Sequence, residues 1–193
     1  MSAAEIIARL DRELAPAGFA RRETTWNRER DQLVEVLDIQ TSKGGETVTM
    51  NAGVLERGVY AICWGRDSDA FVEEPFCIVR ARIGQLLDNK DRWWDIRGAN
   101  TADEMVGCLK EQALPFLGRM QSLEQMRDWL ALTGAPSSKR PLPTICFALL
   151  LSRLGNASQA CSVLGDLEAK ALGAWKARAK EVSARIGCDH ART

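Results

Sequence analysis

Thr47-Val-Thr-Met-Asn-Ala-Gly-Val54 decides the fold. Val48, Met50, Ala52 and Val54 alternate with Thr47, Thr49 and Asn51, the period of two expected of a half-buried strand. Upstream, Ser42-Lys-Gly-Gly45 reads as a hairpin turn, because glycine supplies the positive φ that such turns need. The turn joins this strand to a second run, Leu33 to Thr41, in which Leu33, Leu37 and Ile39 share a face with Glu35 between them. Thr24-Thr-Trp-Asn-Arg28 adds a third strand, and Val59 to Trp64 reads as a fourth. Phe76 to Ile83 reads as a further strand or a short helix, and Trp93 to Ile96 as an edge piece.

Outside this block the period becomes helical. Ser2 with Glu5 forms a capping box, and Ile6, Ile7, Leu10 and Leu14 fall on one helical face that Pro16 and Gly18 end. Thr101 with Glu104 opens a helix through Met105, Val106, Leu109 and Ala113 to Pro115, and Ser122 with Gln125 opens one that stops at Gly134. After the turn-rich Ala135–Pro143 stretch, Leu142 to Leu154 is apolar nearly all round and reads as a buried helix. Gly155-Asn156 breaks it, and a final helical stretch runs to about Ile186, with Gly165 and Gly173 as the places for an interruption. Ala148 to Ala160 resembles one tetratricopeptide-type helical hairpin, a unit that cannot bury its own face alone.

One helix, then strands, then helices predicts an α+β fold with an antiparallel sheet of about four to six strands and a C-terminal helical part. The expected division is an α+β domain over residues 1–133 with a helical hairpin appendage, 134–193, packed on it.

Composition narrows the function. Of 193 residues, 26 are Lys or Arg and 26 Asp or Glu, so no global field draws the chain to nucleic acid or to an anionic membrane. Between Lys170 and Arg185 five cations face one acid, but they scatter around an apolar stripe of Leu172, Trp175, Ala179, Val182 and Ile186, which reads as a solvated back face. The N-terminus has no basic and apolar leader pattern, and the longest apolar run, Ile145 to Leu151, is far short of a membrane span. Cys63, Cys77, Cys108, Cys146, Cys161 and Cys188 lie 14 or more residues apart. Mostly apolar flanks favour six buried, reduced thiols in a cytoplasmic protein, with a disulfide or a reactive thiol as the alternative.

The single histidine, His190, stands in a polar tail, away from any pattern of nucleophilic catalysis. No phosphate loop, dinucleotide fingerprint or nucleophile elbow occurs, no cysteine pair has zinc spacing, and no cofactor is expected. Carboxylates remain. Asp67, Asp69, Glu73 and Glu74 stand close together with no Lys or Arg between Asp67 and Glu74, which suits a solvated loop, a partner-binding patch or a hard cation such as Mg²⁺. Six tryptophans against one tyrosine are the other excess. Adjacent Trp93 and Trp94 point to opposite faces of a strand, so one of them is expected at the surface, with Trp94 the first choice. Trp26 shares its face with Arg28, which allows the guanidinium to stack on a neighbouring indole.

Gly18-Phe-Ala-Arg-Arg22, Thr25-Trp-Asn-Arg28, Arg80-Ala-Arg-Ile-Gly84, Lys90-Asp-Arg-Trp-Trp94 and Ala113-Leu-Pro-Phe-Leu117 follow one another in an order that resembles a bacterial family of uncharacterised domains. The likeness covers roughly residues 1–133. It implies a small cytoplasmic bacterial protein and transfers no catalytic residue. Some members resemble immunity proteins encoded beside secreted toxins. The expectation is therefore a non-enzymatic protein that binds and neutralises a cognate toxin through Asp67, Asp69, Glu73, Glu74, Trp93 and Trp94, without nucleic acid or membrane. A Mg²⁺-dependent hydrolase using the acidic loop and an adaptor docking through the C-terminal hairpin are the alternatives.

Overall fold

A computed structural model of the chain describes residues 2–188; His190 lies outside the described residues. Helix α1 (Ala3–Leu14) is capped by the Ser2–Glu5 box and buries Ile6, Leu10 and Leu14. Strands β1 (Ala20–Arg22), β2 (Thr25–Arg30), β3 (Leu33–Thr41), β4 (Thr47–Glu56) and β5 (Val79–Arg82) lie in that order across one sheet, and β6 (Trp94–Asp95) pairs with the start of β4. The antiparallel register places Trp26 opposite Leu37, Thr25 opposite Asp38, and Asn51 opposite Arg82. The hairpin turn forms at Ser42–Gly45, where Gly45 takes φ 74° and its amide donates to Ser42 O. The fold is thus α+β with an antiparallel sheet, as the change of period implies.

Strand β4 is buried on both sides rather than one: Thr49 and Asn51 are closed off as well as Val48, Met50, Ala52 and Val54. The segment from Asp69 to Ile78 accounts for part of this second layer. It is clasped to β2 where Asn27 Nδ2 donates to Val72 O at 2.9 Å and Val72 N–H donates to Asn27 Oδ1 at 2.6 Å.

Several expectations are corrected. Val59–Trp64 is not a strand but the greater part of a helix, α2 (Arg57–Trp64), capped by the Glu56 side chain, which accepts from Val59 N–H at 2.5 Å. Phe76–Ile83 divides into a 3-10 turn (Glu74–Phe76), β5 and the first residue of α3 (Ile83–Leu87). Helix α4 (Thr101–Cys108) begins after Asn100, and the Thr101 hydroxyl donates to Asp95 O at 2.6 Å instead of capping. Through a π-helical turn (Leu109–Ala113) the helix passes into α5 (Leu114–Arg119), so Pro115 does not end it. Proline has no amide for a bond back along the helix, and a widened turn just before it relieves that break.

Four helices follow: α6 (Leu123–Leu132), the buried α7 (Pro141–Arg153), α8 (Ala157–Lys170) and α9 (Gly173–Arg185). Gly165 lies within α8, and the interruption falls at Ala171–Leu172. Leu172, expected on the apolar stripe, is 86% exposed, while Ala179 and Val182 are buried. The six cysteines are not all thiols: Cys161 and Cys188 form a disulfide across 27 residues, leaving Cys63, Cys77, Cys108 and Cys146 free. That pair joins the end of α9 to α8, a tertiary proximity that flanking residues do not reveal.

The chain divides into two compact units. One comprises the residues up to Leu55 with Asp69–Arg119; the other comprises Glu56–Ser68 with the chain from Met120 on. Helix α2, within Glu56–Ser68, belongs to the second unit and packs there with α7 and α9. No described helix is long and apolar enough to cross a membrane.

Candidate functional site

The four acids are not equivalent. Glu74 is 5% exposed and receives two bonds from Arg80, Nε to Oε1 and Nη2 to Oε2, each 2.7 Å. This bidentate pair holds the Arg80 guanidinium above its ordinary pKa and uses both carboxylate oxygens of Glu74. Asp69 and Glu73 are exposed in the first unit, and Asp67 is exposed in the second. Among the described residues no group of three or more His, Cys, Asp or Glu side chains is placed to hold a metal ion.

The tryptophan expectation is reversed. Trp94 is 6% exposed, and its indole N–H donates to Glu104 at 2.8 Å. Trp93, on the opposite face, is only half-buried. Trp26 is fully buried with its indole donating to Asp11 at 2.7 Å, and Arg28 stacks on Phe19, at 4.4 Å from the ring centre, rather than on an indole.

Around Trp93 the structure assembles a cluster whose other members, Gln40, Asn51, Arg82 and Asp91, are not among the expected site residues. Arg82, from β5, donates to Asn51 Oδ1 on β4 at 3.3 Å, to Gln40 Oε1 on β3 at 3.1 Å and to Asp91 Oδ1 at 2.8 Å. Its guanidinium lies 5.2 Å from the centre of the Trp93 ring. Asp91 closes the circuit by accepting from the Trp93 indole N–H at 3.0 Å, and Asn51 Nδ2 donates to Gln40 Oε1 at 3.3 Å. Hydrogen bonds from Arg82 and then Trp93 hold the Asp91 carboxyl below its ordinary pKa.

Two local features make this geometry. Alternation along β5 turns Arg80 and Arg82 to one face of the sheet and buries Val79 and Ala81 on the other. Gly84, in the first turn of α3, lets the chain at Lys90–Arg92 lie directly against it: an added Cβ would collide with Lys90 O and stand 2.8 Å from Arg92 N. Lys90 N–H donates to Gly84 O at 3.2 Å, which fixes the approach. Asp91 and Trp93 are thereby delivered to Arg82.

The same face carries Arg22, which sits opposite Thr25 in the register and stacks 4.5 Å from the centre of Phe71. Thr25 in turn donates to Asp38 at 2.9 Å. Arginines, two aromatic rings and paired acids thus share one side of a five-strand path. Guanidinium groups held flat on rings and tied to side-chain oxygens keep few rotamers, and that is the chemistry of a recognition surface. The signal in the sequence was Arg80-Ala-Arg-Ile-Gly84 together with Lys90-Asp-Arg-Trp-Trp94, two stretches that only β-pairing and the Gly84 contact bring together.

A family model described as a domain of unknown function, DUF4304, matches residues 10–119. The matched range starts within α1 and ends with α5, so it includes every residue of the Arg82–Trp93 cluster and leaves α6 to α9 outside. No curated protein and no solved structure matches the chain.

Proposed function

The chain belongs to the DUF4304 family of domains of unknown function, and from that premise, which assigns no activity, we propose that it is a non-enzymatic protein-binding module, an immunity-type protein of the bacterial cytoplasm that occludes a toxin domain. The observation that carries this reading is Arg82, held by three side chains and stacked beside the half-exposed Trp93. Arginine and tryptophan are the side chains that most often anchor protein interfaces. Immobilising a free arginine on binding costs about 0.5–1.5 kcal/mol, and here the cluster holds it before any partner arrives. Glu73 and Asp69, exposed on the segment clasped to β2, add a local negative field to a chain whose net charge is zero. Such a field speeds encounter with a basic partner.

Association and dissociation rates with the protein encoded beside this gene test the proposal. Trp93→Ala is expected to speed dissociation and to cost about 2 kcal/mol or more. Glu73→Lys is expected to slow association and flatten its salt dependence, with little change in stability. Unchanged kinetics in both variants would remove this face from the interface, and a neighbour that does not bind the unaltered protein sinks the immunity reading.

A further inference from the structure

Helix α9 packs chiefly on α8: Ala179, Val182 and Ser183 are buried, and Trp175 and, just past its end, Ile186 are half-buried. Polar and covalent fastenings add to this packing. Arg185 donates to the carbonyls of Ile62 and Cys63 at 3.0 and 3.1 Å, the last carbonyls of α2, which have no partner inside their own helix. Arg178 stacks 4.9 Å from the ring centre of Trp64. Beyond the end of α9, Cys188 is bonded to Cys161 of α8.

Beneath these contacts lies a second pair of sulfurs. Cys63 of α2 is 1% exposed and Cys146 of α7 is 4% exposed. A hydrogen bond from the Cys146 thiol, aided by the charges of Arg178 and Arg185, lowers the Cys63 pKa, and the same bond together with burial pushes Cys146 well up. Both thiols are closed in where α2 packs with α7, and α9 lies against both helices. Cys161 and Cys188, by contrast, are each half-exposed.

We propose that Cys161–Cys188 is a thiol-exchange site for a small thiol or dithiol reductant, and that its reduction frees α9 and opens Cys63 to reaction. A reductant thiolate attacks one of the two sulfurs, forming a mixed disulfide and expelling the other as a thiolate that takes up a proton. A second reductant thiolate then displaces the first cysteine, which is also protonated. Cys161 and Cys188 end as thiols, and the reductant leaves as its own disulfide, two electrons poorer. A half-exposed bond in a compartment rich in thiols is open to this exchange, whereas a buried one is shielded from it. Once it is cut, α9, the last described helix, is held by two arginines and its packing on α8, the kind of terminal element that opens locally without unfolding the rest.

The test is alkylation of the full chain by iodoacetamide, mapped by peptide mass, with and without dithiothreitol. In the oxidised protein Cys108, half-exposed, should label while Cys63, Cys77 and Cys146 stay protected. After reduction Cys161 and Cys188 should label, Cys63 should label at least about tenfold faster, and Cys77, deep in the other unit, should remain protected. Unchanged protection of Cys63 after reduction overturns the proposal. So does simultaneous opening of Cys77, because the change is then not confined to the unit that holds α9. Arg185→Gln in the oxidised protein leaves the sulfurs intact and should speed Cys63 labelling part of the way; no effect would show that α9 is not the cover. The double variant Cys161→Ser/Cys188→Ser should label at Cys63 without reductant. If it fails to fold, the reductant titration of the unaltered protein still decides.

Discussion

Gly84→Ala isolates the contact on which the Arg82 cluster depends. Alanine is the better residue for a helix by about 1 kcal/mol, so at an open site in the first turn of α3 the change would stabilise the protein. Here the new methyl collides with Lys90 O and meets Arg92 N at 2.8 Å and Arg92 Cβ at 3.1 Å, where ordinary contact begins near 3.4 Å. Two of the obstacles are backbone atoms, so no rotamer change relieves them, and the chain at Lys90–Arg92 must retreat by more than half an ångström. The bonds of Asp91 to Arg82 and Trp93, at 2.8 and 3.0 Å, stretch toward the limit of hydrogen bonding. Forcing a methyl into a packed contact costs about 1–3 kcal/mol, which against the gain in helix propensity leaves a net loss of up to about 2 kcal/mol. Urea unfolding measures the loss, and the indole N–H resonance of Trp93 reports the cluster directly. Stability that is unchanged or raised, with the Trp93 resonance in place, would refute the claim that Gly84 positions the site.

Three further outcomes follow from buried and paired groups. Glu35, fully buried, accepts from Arg28 at 2.5 Å and from Arg30 at 3.4 Å; Glu35→Gln should destabilise by about 3 kcal/mol in urea, because it leaves a shielded cation without its counter-charge. Among the described residues Ser183 Oγ is buried with no hydrogen-bond partner, so Ser183→Ala should raise stability by about 1 kcal/mol, and a loss of that size would show that the hydroxyl is satisfied. Asp91 has a folded pKa depressed by its hydrogen bonds from Arg82 and Trp93. Its contribution is therefore fully present above the ordinary carboxylate range and is lost as pH falls through the lowered value. Titration of the Trp93 indole resonance should show the cluster dissolving only on that acid side, and a midpoint above the ordinary range would contradict the assignment.

The sheet was legible where one period ran unbroken. Thr47–Val54 alternates cleanly, and the hairpin before it carries its glycines, so β3 and β4 form as read. Residues 59–64 misled because Val59, Tyr60 and Ile62 are strand formers; the buried set Val59, Tyr60 and Cys63 has helical spacing, and the Glu56 cap fixes the choice. Glu74 looked like one of four equivalent acids, since its partner, Arg80, lies six residues on, across a 3-10 turn. For Trp93 and Trp94, alternation gave opposite faces but not which face was the core. That depends on β6 pairing with β4 and on Glu104 receiving the Trp94 indole. The Arg82 site combines β3, β4, β5 and the Lys90–Trp93 segment, and no local pattern joins them.

The placement of α2 has a consequence for synthesis. Its packing partners α7 and α9 begin at Pro141 and Gly173, far downstream in the order of translation. At about 5–20 residues per second, α2 leaves the ribosome some 4–15 s ahead of α7. Through that interval the strand-bearing unit can complete itself as far as Arg119, while Val59, Tyr60 and Cys63 have nothing of their own unit to lie against. The nascent chain therefore passes through a stage in which one half is finished and an apolar helix in its midst is not, and this is where a chaperone that grips short apolar segments would find its hold.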